Sequence, residues 1–153
     1  MTQSDSLARF TALVDRFEQV QGFIDQARAM AARFRPEVIQ RVIDGHQATI
    51  NEVLTDVVPL MMDLEQAAQA ADARRADIDA GAAASRFALE ELELRHLIGE
   101  LDDDGWLSGR IEHEERVAAV DRDLAEVDAE RDALRGALAR WDAAGKSAGV
   151  LQA

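Results

Sequence analysis

The chain is 153 residues long, carries 30 acidic against 17 basic side chains for a formal charge of −13, and contains no cysteine. That excludes disulfides, Cys-ligated zinc and a cysteine nucleophile; the acidic balance, with a pI near 4.5, argues against binding a nucleic-acid backbone or an anionic membrane surface. Hydrophobic residues make up 48%, but 29 of them are Ala, with 11 Val and seven aromatics, a mix that favours helices over strands.

Residues 1–7 lack the basic region and apolar run of a secretory signal. The longest uncharged stretch with appreciable hydrophobicity, residues 57–62, is far short of the roughly 20 residues that span a bilayer. The expectation is a soluble cytoplasmic protein. Among the bases there are 16 Arg and a single Lys, Lys146, which reads as the mark of a GC-rich bacterial coding sequence.

Apolar periodicity then predicts three helices. The first follows the heptad Phe10, Leu13, Phe17, Val20, Ile24, Ala27, Ala31, Phe34, over about residues 5–34. Ser4 or Ser6 is available to cap it, and Pro36 ends it, because the residue before proline avoids the α region. Pro36 also suits the first turn of the next helix, with Glu37 placed against its dipole.

Helix two is expected over about residues 37–100. Its seam runs Ile43, Ile50, Val57, Leu64, Ala71, Ile78, Ser85, Leu92 at intervals of seven, flanked by His46, Val53, Leu60, Ala67 and Ala88. A second stripe, Phe87, Leu94 and Leu101, joins it near the end. Pro59 removes one hydrogen bond and predicts a kink, not a break. The helix stops at Gly99, and Asp102-Asp103-Asp104 supply an N-cap and first-turn acids for helix three, over about residues 103–143. Its seam is Trp106, His113, Val117, Val120, Leu124, Val127, Arg131, Leu134, Leu138, Trp141, with a stop near Ala144-Gly145.

At 1.5 Å per residue these helices span roughly 45, 96 and 61 Å. Short connections make neighbours antiparallel, so the first and third should cover opposite halves of the second. The expected fold is all-α: an extended antiparallel coiled coil of three helices, one domain over residues 1–145 with a frayed tail at 146–153. The outer helices should meet beside residues 59–64, clustering Phe10, Met61, Met62, Leu64 and Trp141. The stretch from residue 67 to 84 is Ala-rich; it buries little and permits close packing against another helix, so self-association as a homodimer or higher oligomer is expected.

Catalytic and metal chemistry find little footing. Glu93-Leu94-Arg95-His96 has the Glu-x-x-His spacing of di-iron bundles, but such a site needs two of these motifs and two further carboxylates. His113-Glu114-Glu115 lacks the second histidine of a zinc-protease helix, since position 117 is Val117. No catalytic, cofactor-binding or metal-binding residue is assigned, no cofactor is implied, and a non-enzyme is expected. Charge is uneven: residues 1–35 carry four acids and five bases, residues 36–80 nine and three, so a near-neutral first helix lies against an acidic second.

Two segments carry a resemblance. Pro36-Glu37-Val38-Ile39-Gln40-Arg41-Val42 opens the long helix, and Glu91-Leu92-Glu93-Leu94-Arg95-His96-Leu97-Ile98-Gly99-Glu100-Leu101-Asp102-Asp103 leads into Trp106. Over about residues 7–142 this resembles the long helical-hairpin region of bacterial coiled-coil proteins, many of which continue into a C-terminal zinc ribbon. Without cysteines no ribbon forms here, and what the resemblance implies is a scaffold or adaptor for an unidentified protein partner. Interfaces favour aromatic anchors. Trp106 at the hairpin tip, and Trp141 with Phe10, Met61 and Met62 at the junction of the helices, are therefore the interaction candidates. The acidic tip Asp102, Asp103 and Asp104 resembles the coiled-coil fingers of factors that enter the secondary channel of RNA polymerase, which implies an alternative role as a transcription regulator.

Overall fold

The computed structural model describes residues 2–149. Among the described residues there are three helices and no strand: α1 (Gln3–Ala29), α2 (Pro36–Leu97) and α3 (Asp103–Ser147), with α2 in contact with both others. No helix among them is long and apolar enough to cross a membrane.

Neither serine caps α1. Thr2 does: its hydroxyl accepts the Asp5 N–H at 3.1 Å, while the Asp5 carboxylate accepts the Thr2 N–H at 3.0 Å. This reciprocal box satisfies two otherwise orphaned donors. The Thr2 N–H, then its hydroxyl, hold the Asp5 carboxyl below its ordinary range. Ser6 is instead buried against the core.

The helix closes at Ala29, short of residue 34, in tightened turns: Met30 donates to Ala27 at 3.1 Å and Arg33 to Met30 at 2.9 Å. Phe34, expected on the seam, is 53% exposed. The reason lies in what the last turns would bury. Ala27 and Ala31 offer only methyl groups, too little apolar surface to hold the backbone in register against the pull of Pro36 on residue 35.

Pro36 opens α2 as expected, and the helix continues through Pro59. The seam at intervals of seven holds. Ile50, Val57, Leu64 and Ala71 are buried, and Ile43, Ile78, Ser85 and Leu92 half-buried. Phe87 and Leu94 depart from it, at 71% and 58% exposure, so the second stripe does not join the seam. At the other end α3 passes the expected stop. Gly145 sits inside the helix, a defect of only about 1 kcal/mol relative to Ala, and Lys146 pairs with Asp142 at 2.9 Å one turn back. Lys146 and Ser147 are therefore helical, not frayed; residues 150–153 of the expected tail lie outside the described residues.

The chain divides into two compact units. The first, Met1–Ala67 with Ala133–Ala153, gathers α1, the beginning of α2 and the end of α3. Phe10, Val14, Phe17, Val20 and Ile24 of α1 are buried with Ile50, Val57 and Leu64 of α2 and Leu134 and Trp141 of α3. The Trp141 ring meets Phe17 edge-on with centroids 5.0 Å apart, and Phe10 at 6.5 Å. Beside it Arg140 hydrogen-bonds Glu18 and Asp15, which raise its pKa further. The outer helices therefore overlap side by side in this unit. Three helices sharing one core bury large side chains that a two-helix seam leaves wet.

The second unit, Ala68–Asp132, is an antiparallel hairpin of the end of α2 and the beginning of α3. Its fully buried apolar side chains are small: Ala68, Ala71, Ala82 and Val127. Ion pairs flank the seam, Arg74 with Glu130, Arg75 with Asp128 at 2.7 Å, and Arg131 with Asp72 at 3.6 Å. Nearer the tip, a Cβ at Gly109 would stand 2.5 Å from Cδ2 of Leu92, so glycine lets α3 approach α2 closely there.

Candidate functional site

The hairpin tip is built from local hydrogen bonding. Gly99 takes φ +82°, its N–H reaches the His96 carbonyl at 3.1 Å, and the Glu100 N–H reaches that of Arg95 at 2.9 Å. This is the Schellman closure, which satisfies carbonyls the helix end leaves open. Arg95 reinforces it, bridging Glu91 at 3.1 Å and Glu100 at 2.7 Å. Gly99→Ala should cost about 1–2 kcal/mol, because only the left-handed backbone is at issue: no side chain stands near the missing Cβ. Chemical denaturation and amide exchange at Glu100 and Leu101 measure it; unchanged values in both would contradict this account of the turn.

Two of the three tip aspartates work inside the hairpin. Asp102 caps α3, its carboxylate accepting the Gly105 N–H at 2.7 Å. The Asp103 carboxylate lies 2.8 Å from Nε2 of His96, and Asp104 is exposed in the first turn. The Trp106 ring stacks on His96 with centroids 5.2 Å apart and planes 13° off parallel, and the Arg110 guanidinium lies 5.9 Å from its centre. His96, the histidine of the Glu-x-x-His spacing, is thus held between Asp103 and Trp106. Among the described residues no group of three or more His, Asp or Glu is arranged to hold a metal ion.

The candidates at the helix junction fall on both sides of the surface. Phe10 and Trp141, at 0% and 4% exposure, are core residues whose rings meet edge-on and offer almost no surface to a partner. Met61 is half-buried, Met62 is 54% exposed, and Trp106 is half-buried between its two neighbours.

The open apolar surface lies elsewhere, in two places that take in Phe34 of the first seam and Phe87 and Leu94 of the second stripe. In the first unit, Phe23 and Met30 of α1, Phe34 of the turn, and Val38 and Val42 of α2 are exposed and line a groove of about 380 Å³. His46 also lines it, its ring 5.4 Å from that of Phe23. In the second unit, Phe87, Leu94, Leu97 and Ile98 of α2 and Leu107 and Ile111 of α3 are exposed. Phe87, Leu94 and Ile98 succeed one another by seven and four residues, so they fall within roughly 40° of one another around the helix. The half-buried Leu92 and His96 face α3 from the far side, which makes the stripe an apolar ridge on the outer face of α2. A sign of both was present in the sequence: Phe23, Val38, Val42 and Phe87 are large apolar residues at positions the main seams do not use. No family model, no curated protein and no solved structure matches the chain.

Proposed function

We propose that this protein is a non-enzymatic interaction module, a scaffold or adaptor of the bacterial cytoplasm that holds protein partners through its helical surfaces. The observation that carries the reading is the apolar surface left open in each unit: the groove of Phe23, Met30, Phe34, Val38 and Val42, and the ridge of Phe87, Leu94 and Ile98. Single exposed apolar residues are ordinary, whereas clusters rimmed by charge mark places where another molecule sits. The resemblance of residues 91–103 to the hairpins of bacterial coiled-coil proteins points the same way. The tip aspartates support the transcription-factor alternative less, since Asp102 and Asp103 serve the hairpin itself.

Photo-crosslinking in the native cell tests this. A photoreactive phenylalanine analogue at Phe34 or Phe87 should give discrete covalent protein products, identified by mass spectrometry, and the same analogue at exposed Gln69 should give none. If neither position yields a product, with this chain or any other, the reading fails.

A further inference from the structure

We propose that the two open surfaces bind each other between copies, the α2 ridge of one molecule seating in the groove of the next. This inference rests on the interaction-module reading above and names its partner: a second copy of this chain.

Form is the first argument. The groove is concave and apolar, walled by α1 and by residues 38–46 of α2, a stretch of about 12 Å at the helical rise. The ridge from Phe87 to Ile98 runs about 16 Å along its helix, its three anchors two turns and then one turn apart. An amphipathic helix laid into an apolar groove is a standard mode of recognition, read as anchors on one helical row.

Charge is the second, and it chooses the partner. Residues 23–46, which carry the groove, hold four arginines (Arg28, Arg33, Arg35, Arg41) against three acids, a positive segment in a chain of charge −13. Residues 87–111, which carry the ridge, hold seven acids against two arginines. Arg33, Arg35 and Arg41 have no ion-pair partner among the described residues. On the ridge side both arginines are already taken, Arg95 by Glu91 and Glu100 and Arg110 by Glu114, leaving Glu90, Glu93 and Asp104 in excess. Ridge against ridge would oppose two acidic segments, and groove against groove two basic ones, each repulsive; ridge against groove pairs opposite signs around an apolar centre. Such a contact is head-to-tail. It leaves one ridge and one groove free on every pair and propagates unless rotation closes a ring.

Complementation by sedimentation velocity of the full chain tests this. The groove variant combines Phe34→Asp with Val38→Asp, and the ridge variant Phe87→Asp with Leu94→Asp; all four positions are exposed, and circular dichroism checks that each variant keeps its helix content. Wild type should form species that grow with concentration. Each variant alone should be monomeric, its association weakened more than about 100-fold, and an equimolar mixture should form a dimer and stop, because one intact ridge then meets one intact groove. Reversing charge without touching the apolar residues, Arg33→Glu with Arg35→Glu, should weaken wild-type association about tenfold at low salt and less at high salt, where screening shortens the reach of the field. Wild type that stays monomeric, a mixture that stays monomeric, or a single variant that still dimerises overturns the inference. If it is overturned while Phe34 or Phe87 crosslinks to a different protein, the interaction-module reading stands and only the self-partner falls.

Discussion

Trp141→Ala is expected to lower stability by about 3–5 kcal/mol, the range for truncating a buried tryptophan to a methyl group. The side chain is 4% exposed and meets Phe17 and Phe10 edge-on, an arrangement that adds to simple burial. It stands where α1, α2 and α3 share one core, so the cavity left behind has rigid walls on three sides and cannot collapse easily. Against a total stability of about 5–15 kcal/mol for a domain, that loss is large. Urea denaturation followed by circular dichroism gives the value. The second tryptophan, Trp106, stacks on His96 in the other unit, so fluorescence of the variant reports that hairpin alone. The comparison is Met62→Ala: Met62 is 54% exposed, and its truncation should change stability by less than about 0.5 kcal/mol. A Trp141→Ala effect as small as that would remove Trp141 from the core.

Much of this fold is legible in the pattern of large apolar residues, because a helix seam is periodic and periodicity survives in one dimension. Every position of the α3 seam from Trp106 to Trp141 is buried or half-buried, as is every position of the α2 seam at intervals of seven. Helix ends are less legible, since they depend on a few hydrogen bonds: Thr2 outcompetes Ser4 and Ser6 as cap because Asp5 can return its bond. The overlap of α1 with the end of α3 is less legible still. Chain lengths place Trp141 near Phe10, but its ring lies closer to Phe17, two turns further along α1, and such a shift depends on side-chain packing that helix lengths do not encode. The surfaces escape for a different reason. Heptad spacing shows that Phe87 and Leu94 share a face, but whether the chain covers that face is a tertiary fact. Aromatic anchors such as Trp141 and Phe10 look alike in sequence whether they serve a core or an interface.

Pro59→Ala is expected to stabilise the protein by about 2 kcal/mol. Proline inside a helix costs about 3 kcal/mol relative to alanine: it has no N–H to give the carbonyl four residues back, and its ring crowds that turn. Here that carbonyl belongs to Thr55, whose hydroxyl is itself turned to the Asn51 carbonyl at 3.0 Å and brings no donor to it. Part of the gain is offset, by about 0.4–1 kcal/mol, because alanine leaves the unfolded chain freer. Pro59 is exposed while its neighbours on the seam, Val57 and Leu60, are buried, so the substitution removes no core contact of those two. Pro59→Gly separates the two contributions: it restores the hydrogen bond but forfeits about 1 kcal/mol of helix propensity, and should fall between wild type and Pro59→Ala. Thermal and urea denaturation of the three proteins decide the matter. A Pro59→Ala variant no more stable than wild type would contradict this account of Pro59 as a net cost to α2.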